Sequence, residues 1–138
     1  MAQLNGYLFF NGNCAEAMGF YAKTLGGKVD IMKVGKSPAA EQMPPGSDDL
    51  VIHARLELPG GAVLMASDWL DKTPYPSMKG FALSVGYPTG DEAHRTFDLL
   101  VEGGNAPMPF GKTFFAEGFG MLTDRFGTPW MVAGGMMG

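Results

Sequence analysis

The stretch DLVIHARLEL, residues 49–58, places His53, Arg55 and Glu57 at alternate positions. Successive side chains of an extended strand leave on opposite faces, so Leu50, Ile52, Ala54, Leu56 and Leu58 share one face. Val51, His53, Arg55 and Glu57 share the other. The apolar set suits packing against a helix, which leaves His53, Arg55 and Glu57 on the opposite face. An imidazole beside a cation and a carboxylate can act as a general base or hold an anion; it can equally be a structural histidine bonded within its sheet, with Arg55 and Glu57 paired at the rim.

Two further stretches offer lining rather than chemistry. In AVLMASD, Met65 and Ser67 share a face, so Ser67 can present a hydroxyl to whatever Met65 packs against, while Asp68 alternates away. Met121 and Met131 stand in FAEGFGMLTD and PWMVAG. Methionine fills irregular cavities and adapts to varied ligands, which fits Met65, Met121 and Met131 to a pocket wall. Two thioethers could also take a soft Cu(I) ion, although no cysteine or histidine is placed to join them. His53, Arg55, Met65, Ser67, Met121 and Met131 are therefore the candidate ligand-binding residues, with His53 as the catalytic candidate.

Other chemistry-bearing residues read as structure. Asp124 opens the turn of GMLTDRFGTPWMV and can bond its own loop backbone, and Arg125 faces solvent or clasps a neighbouring segment. Glu117 could bring a carboxylate to the cleft mouth. Cys14 falls in a first helical turn, where a thiol is either acidified or simply packed. His94 lies on a helix surface. Phe114, Phe115 and Phe119 suit a core, a subunit interface or an apolar cleft, and parity turns Trp130 away from Met131 toward the helix layer.

The elements that must position these residues occur twice. In NCAEAMGFYAKTLGGKV, Asn13 and Glu16 form a capping pair, Phe20 and Tyr21 give an apolar face, and Gly26-Gly27 is the stop. TGDEAHRTFDLLVEGGNA repeats this grammar, with Thr89 and Glu92 as caps, Phe97 and Leu100 inward, and Gly103-Gly104 as the stop. A strand precedes each helix (YLFFN, FALSVGY) and three follow: KVDIMKV, DLVIHARLEL and AVLMASD, then APMPFG, FAEGFGMLTD and PWMVAG. Each half reads strand, helix, strand, strand, strand. The first is the longer, and its surplus falls in GKSPAAEQMPPGSDD (35–49), a loop of the kind that serves as a lid or stays disordered. We expect an α+β chain of two βαβββ modules in one domain, residues 1–138: module one at 1–70, a linker at 71–79 and module two at 80–138.

Composition narrows the partners. The chain has 138 residues, 46% of them hydrophobic and 17% charged, enough for a packed core. A net charge of −4 with scattered Lys and Arg gives no footprint for nucleic acid. No run approaches the roughly 20 apolar residues of a membrane-spanning helix, and the start lacks a secretory leader. A single cysteine excludes an intrachain disulfide and fits a reducing, cytoplasmic setting.

The segments FFNGNCAEAMGFYAKTLGGKV, IHARLEL with LMASD, and MPFGKTFFAEGFGMLTDRFGTPWMV resemble the vicinal oxygen chelate superfamily of glyoxalases, bleomycin-resistance proteins and dioxygenases. Within it they look like the PhnB-like branch, often labelled a 3-demethylubiquinone-9 3-methyltransferase. The likeness covers residues 4–133 and implies a pseudo-barrel of paired modules and a homodimer. It also implies a divalent metal held by His, Gln or Glu on the first and fourth strands of the modules. Here Met65 and Met131 stand where those glutamates are expected, with Asn5, Gly6 and Tyr7, and Lys79, Gly80 and Phe81, at the first-strand starts. The usual metal ligands are thus unmatched. No glycine-rich strand-to-helix turn suited to a nucleotide-like methyl donor occurs either. Two functions follow: a protein binding a small apolar or aromatic molecule without the metal, or a metal-dependent lyase, isomerase or dioxygenase using His53.

Overall fold

The computed structural model describes residues 2–136 and divides the chain into two compact units, Met1–Ser77 and Met78–Gly138. The division falls inside the 71–79 segment expected to link the modules. Each unit is one four-stranded mixed sheet with one helix packed against it.

In the first unit the order along the chain is β1 (Gly6–Phe10), α1 (Cys14–Leu25), β2 (Lys28–Lys33), β3 (Val51–Glu57) and β4 (Val63–Asp68). The sheet runs β1-β4-β3-β2, with β1 parallel to β4 and the remaining pairs antiparallel. One face carries Leu8, Phe10, Ala54, Leu56, Leu64 and Ala66, and it closes on Ala17, Met18 and Tyr21 of α1, all of them buried. Burying each large side chain contributes on the order of 1.5–3 kcal/mol, which fixes the register of the whole sheet. Gly26 ends α1 in the left-handed conformation at φ 77°, as the double glycine predicts.

The expected cap is corrected. Asn13 makes no side-chain cap bond; instead the buried Asp68 reaches from β4 to accept from the Cys14 N–H at 2.9 Å and the Val51 N–H at 2.8 Å. A fourth-strand carboxylate thus satisfies the helix N-terminus and ties it to β3, a partner that no local spacing announces.

The alternation of β3 also breaks once. Met32 lies opposite His53 but Lys33 lies opposite Val51, so β3 carries one extra residue at that point. Val51 is therefore buried, while His53, Arg55 and Glu57 stay on the exposed face. The 35–49 loop is folded back rather than open. Two short 3₁₀ turns, Val34–Lys36 and Ala40–Gln42, lie in it, with Val34 N–H donating to Leu50 O at 2.8 Å and Gly35 N–H to Asp48 O at 3.0 Å.

The second unit repeats the plan: β5 (Leu83–Tyr87), α2 (Gly90–Val101), β6 (Asn105–Gly111), β7 (Ala116–Thr123) and β8 (Pro129–Met136), in the order β5-β8-β7-β6. Here the local cap holds. The Glu92 N–H donates to Thr89 Oγ1 at 3.2 Å, and the Gly90 N–H donates to Glu117 Oε1 at 2.9 Å. Ala93, Phe97 and Leu100 pack inward against Leu122, Trp130 and Val132. Gly120 is required for this packing, because a Cβ there would lie 2.6 Å from the Phe97 ring. At Gly118 a Cβ would collide with the Phe110 ring. The motif AEGFG is thus a floor made flat for two phenylalanines.

Candidate ligand-binding face

The face of the first sheet opposite α1 gathers the expected polar residues. Arg55 pairs across β4 with Met65, and Met65 pairs across β1 with Tyr7. His53 follows on the same face of β3, and Tyr7 Oη lies 3.2 Å from His53 Nδ1, within hydrogen-bond reach. Arg55 Nη1 is salt-bridged to Glu57 Oε1, the rim pair anticipated for a structural role. Ser67 lies opposite Phe9 in the register, so it is on the expected face, yet it is only 4% exposed. Its hydroxyl sits below the surface rather than presented to a ligand.

What the spacing of His53 and Arg55 did not reveal is an aromatic row across this face. His53 and Tyr7 have ring centroids 5.8 Å apart, Tyr7 and Phe9 5.2 Å, Phe9 and Trp69 5.6 Å, and Trp69 and Tyr75 6.3 Å. Tyr7 and Phe9 remain 38% and 44% exposed. They are accessible because the alternation in YLFF sends Leu8 and Phe10 into the core and its other two aromatics outward. Trp69 follows β4, with its indole N–H donating to Thr73 O at 2.8 Å. Tyr75 donates its phenol to Phe9 O at 2.6 Å, which straps the following segment onto the sheet, and burial pushes its pKa up. The alternation of YLFF could have flagged Phe9; nothing local flags Tyr75.

Met121 and Met131 are brought together, but in the second unit. They face each other across β7 and β8, and Met131 lies opposite Ser84 of β5. Phe119 shares their side of β7, with Phe115 against it at 5.1 Å and Phe114 against Phe115 at 5.1 Å. Trp130 is buried, as parity requires, and its indole N–H donates to Asp124 Oδ2 at 2.9 Å. Asp124 Oδ1 accepts from Phe126 N–H and Thr128 N–H at 2.9 and 3.0 Å, so this turn is held by its own aspartate. Arg125 stacks its guanidinium on Phe126 at 4.5 Å. His94 lies flat on Phe110 at 4.6 Å, with Asp98 3.6 Å from its Nε2. Glu117 serves α2 as described above. Cys14 is fully buried, and burial, then Asp68, push its thiol up to about 12. Both causes act against the acidified-thiol alternative, since burial disfavours the thiolate and Asp68 occupies the helix end that would have favoured it.

The register also corrects the first-strand position of the second unit: Lys79, Gly80 and Phe81 precede β5, and Ser84 is the residue opposite Met131. The positions implied for a divalent metal are thus Tyr7 with Met65 and Ser84 with Met131. Each pair sets a thioether, a soft donor, where a hard divalent ion takes oxygen or imidazole, and neither pair supplies a His, Gln or Glu. Among the described residues no three His, Cys, Asp or Glu side chains cluster as metal ligands. His53 stands one strand away from the Tyr7 and Met65 pair.

A family model described as 3-demethylubiquinone-9 3-methyltransferase matches residues 2–133. The chain belongs to this family. It is 36% identical to Protein YjdN of Escherichia coli K12, over 94% of this chain and 92% of that one. The solved structure of protein PA1353 from Pseudomonas aeruginosa is 43% identical, covers 98% of each chain and superposes with a TM-score of 0.89. A PhnB protein from Bacillus cereus is 27% identical over 96% of this chain and 99% of that one, with a TM-score of 0.79. A glyoxylase/bleomycin resistance protein/dioxygenase domain from Frankia sp. EAN1pec shares the fold at 14% identity, with a TM-score of 0.68 and coverage of 100% and 95%. The fold is therefore the α+β, βαβββ-repeat architecture of the glyoxalase and bleomycin-resistance proteins. Among the described residues no helix is long and apolar enough to cross a membrane. The methyltransferase in the family's description needs a place for its methyl donor. Asp68 takes the Cys14 N–H at the N-terminus of α1, whereas the N-terminus of α2 borders a cavity of about 480 Å³ that Thr89, Gly90, His94, Phe110 and Glu117 help to line.

Proposed function

We propose that this protein binds a small, planar, largely apolar molecule on the open face of its first sheet, without a divalent metal. The observation that supports this most is the row of rings from His53 through Tyr7 and Phe9 to Trp69. Aromatic side chains left in water cost apolar hydration that a stacked ligand relieves. Arg55 and His53 border the row and would orient a polar substituent, and Met65 adapts its shape to the ligand. In the second unit Met121 and Met131 form a softer lining for the same class of molecule. The reading carries with it a homodimer, as the superfamily implies, and a reducing cytoplasmic setting for the unpaired Cys14.

The test is a titration with 2-naphthol, followed by tryptophan fluorescence and by saturation transfer on the ligand signals. Saturable binding is expected, weakened about tenfold in Phe9→Ala, the loss of about 1.4 kcal/mol that one aromatic contact supplies. Absence of saturable binding, or an unchanged affinity in Phe9→Ala, overturns the site. Metal analysis of protein purified without chelator gives a second arm. A stoichiometric divalent ion that disappears in His53→Ala would replace this reading with the metal-dependent enzyme.

A further inference from the structure

A groove of about 570 Å³ lies along the outer edge of the first sheet, lined by Ala15, Ile31, Met32, Lys33 and Lys36. Its size falls in the range of small-molecule pockets. Among the described residues β2 has no strand on its outer side, and its edge leaves Ile31, on the helix side, 38% exposed and Met32, on the opposite side, 48% exposed.

The charges beside them are placed by the backbone. Lys33 ends β2 in an extended conformation and Lys36 closes the 3₁₀ turn Val34–Lys36 that follows, and both line the groove. The turn is fixed from below by the Val34 N–H bond to Leu50 O and the Gly35 N–H bond to Asp48 O. Gly35 is needed there, because a Cβ would approach the Asp48 Cβ to 2.9 Å. Neither lysine takes part in an ion pair among the described residues. Two ammonium groups outside any ion pair among the described residues, on one groove with exposed apolar side chains, make half of a binding site.

We propose that this groove binds amphipathic anions, with an aliphatic chain against the β2 edge at Ala15, Ile31 and Met32 and a carboxylate at Lys33 and Lys36. A neutral chain would leave both ammonium groups unused, and a cationic one would meet repulsion. A small molecule suits the edge better than an added peptide strand. The free edge stops at Lys33, where the chain enters the 3₁₀ turn Val34–Lys36, so an added strand could not continue along both lysines.

The experiment is calorimetric titration of the intact protein with decanoate below its micelle concentration, with decanol and decyltrimethylammonium as matched chains. Saturable binding of decanoate is expected, with both controls at least about tenfold weaker, the equivalent of one charge-assisted contact. Lys33→Gln with Lys36→Gln lowers decanoate affinity about tenfold, and Lys33→Glu with Lys36→Glu abolishes it. Phe9→Ala, on the open face, leaves it unchanged, which separates the groove from the aromatic site. The neutral pair keeps the test readable if the charge reversal fails to fold. Equal affinity for decanol, no saturable binding of decanoate, or no response to the neutral pair overturns the proposal. Binding of an acidic Leu-Asp-Leu-Asp-Leu peptide in place of decanoate overturns it too, in favour of a protein partner.

Discussion

The open faces of the two sheets share one layout and differ in nearly every residue. Met65 and Met131 hold the same register position in β4 and β8. Around Met65 stand Tyr7 and Arg55, with His53 two residues on; around Met131 stand Ser84 and Met121, with Phe119 two residues on. The first face keeps hydrogen-bonding groups and a ladder of aromatic rings, whereas the second keeps sulfur, a hydroxyl and apolar surface. A repeated backbone plan thus carries one face that combines polar groups with aromatic rings and one that is mostly apolar. The faces packed on the helices differ less in chemistry than in how each unit secures its helix, and that is where the largest effects are expected.

Asp68 is the first place to break the comparison. Its carboxylate accepts from one backbone donor on α1 and one on β3, while the N-terminus of α2 shares its load between Thr89 and the exposed Glu117. Replacing Asp68 by Ala leaves two buried N–H groups unpaired, at about 1–3 kcal/mol each, so Asp68→Ala is expected to cost roughly 3 kcal/mol or more. Thr89→Ala should cost about 1 kcal/mol, the usual worth of an exposed cap. Urea unfolding of both variants measures the difference. Equal losses would mean that the α1 cap is no more consolidated than the α2 cap.

A second contrast concerns the strand beneath each helix. Ala54 in β3 and Gly120 in β7 directly precede the equivalent residues Arg55 and Met121. Ala54 is fully buried without difficulty, whereas Gly120 lies under the Phe97 ring. Gly120→Ala therefore forces a ring shift and should cost about 1–3 kcal/mol, while Ala54→Gly should cost nearer 1 kcal/mol, from lost contact and added chain freedom. If thermal unfolding ranked them the other way, the flat floor inferred for AEGFG would be wrong.

These contrasts mark how far the sequence could be read. Every strand and both helices were legible, because alternation, double glycines and the Thr89 cap are local signals. Asp124 and Trp130 were also placed correctly, since a turn aspartate and strand parity act over a few residues. The Asp68 cap was hidden because its donors lie 54 and 17 residues away. The burial of Val51 was hidden by a one-residue register shift that no residue type announces. For the candidate face, parity brought His53, Arg55 and Met65 to one side. The aromatic row escaped notice because it joins β3, β1, the end of β4 and the segment after it, four stretches that only the folded sheet aligns.

Cys14 extends the comparison to pH. It is buried in the first turn of α1, and its thiol is pushed up to about 12 from 9.0, chiefly by burial and then by Asp68. The unfolded thiol therefore ionises first as pH rises, and folding must restore its proton. The stability contribution is complete below pH 9.0 and is lost progressively toward about 12. Wild type should lose stability relative to Cys14→Ala across that window and nowhere below it. Iodoacetamide at pH 8 should label the thiol only on unfolding. Rapid labelling of the folded protein would restore the acidified thiol.

The smallest effect is expected where the faces look most different. Arg55 and Glu57 form an ion pair with both side chains about half exposed, so water screens it and two long side chains lose freedom to hold it. Arg55→Met, which copies Met121 onto the first face, should change stability by less than about 0.5 kcal/mol in either direction. The same substitution should weaken an aromatic carboxylate such as 2-naphthoate more than 2-naphthol, because only the carboxylate uses the guanidinium. A large stability loss with both ligands equally affected would make the pair a structural rim. A selective loss for 2-naphthoate would instead make Arg55 the group that orients the ligand, and the contrast between the two sheets would then be one of function as well as composition.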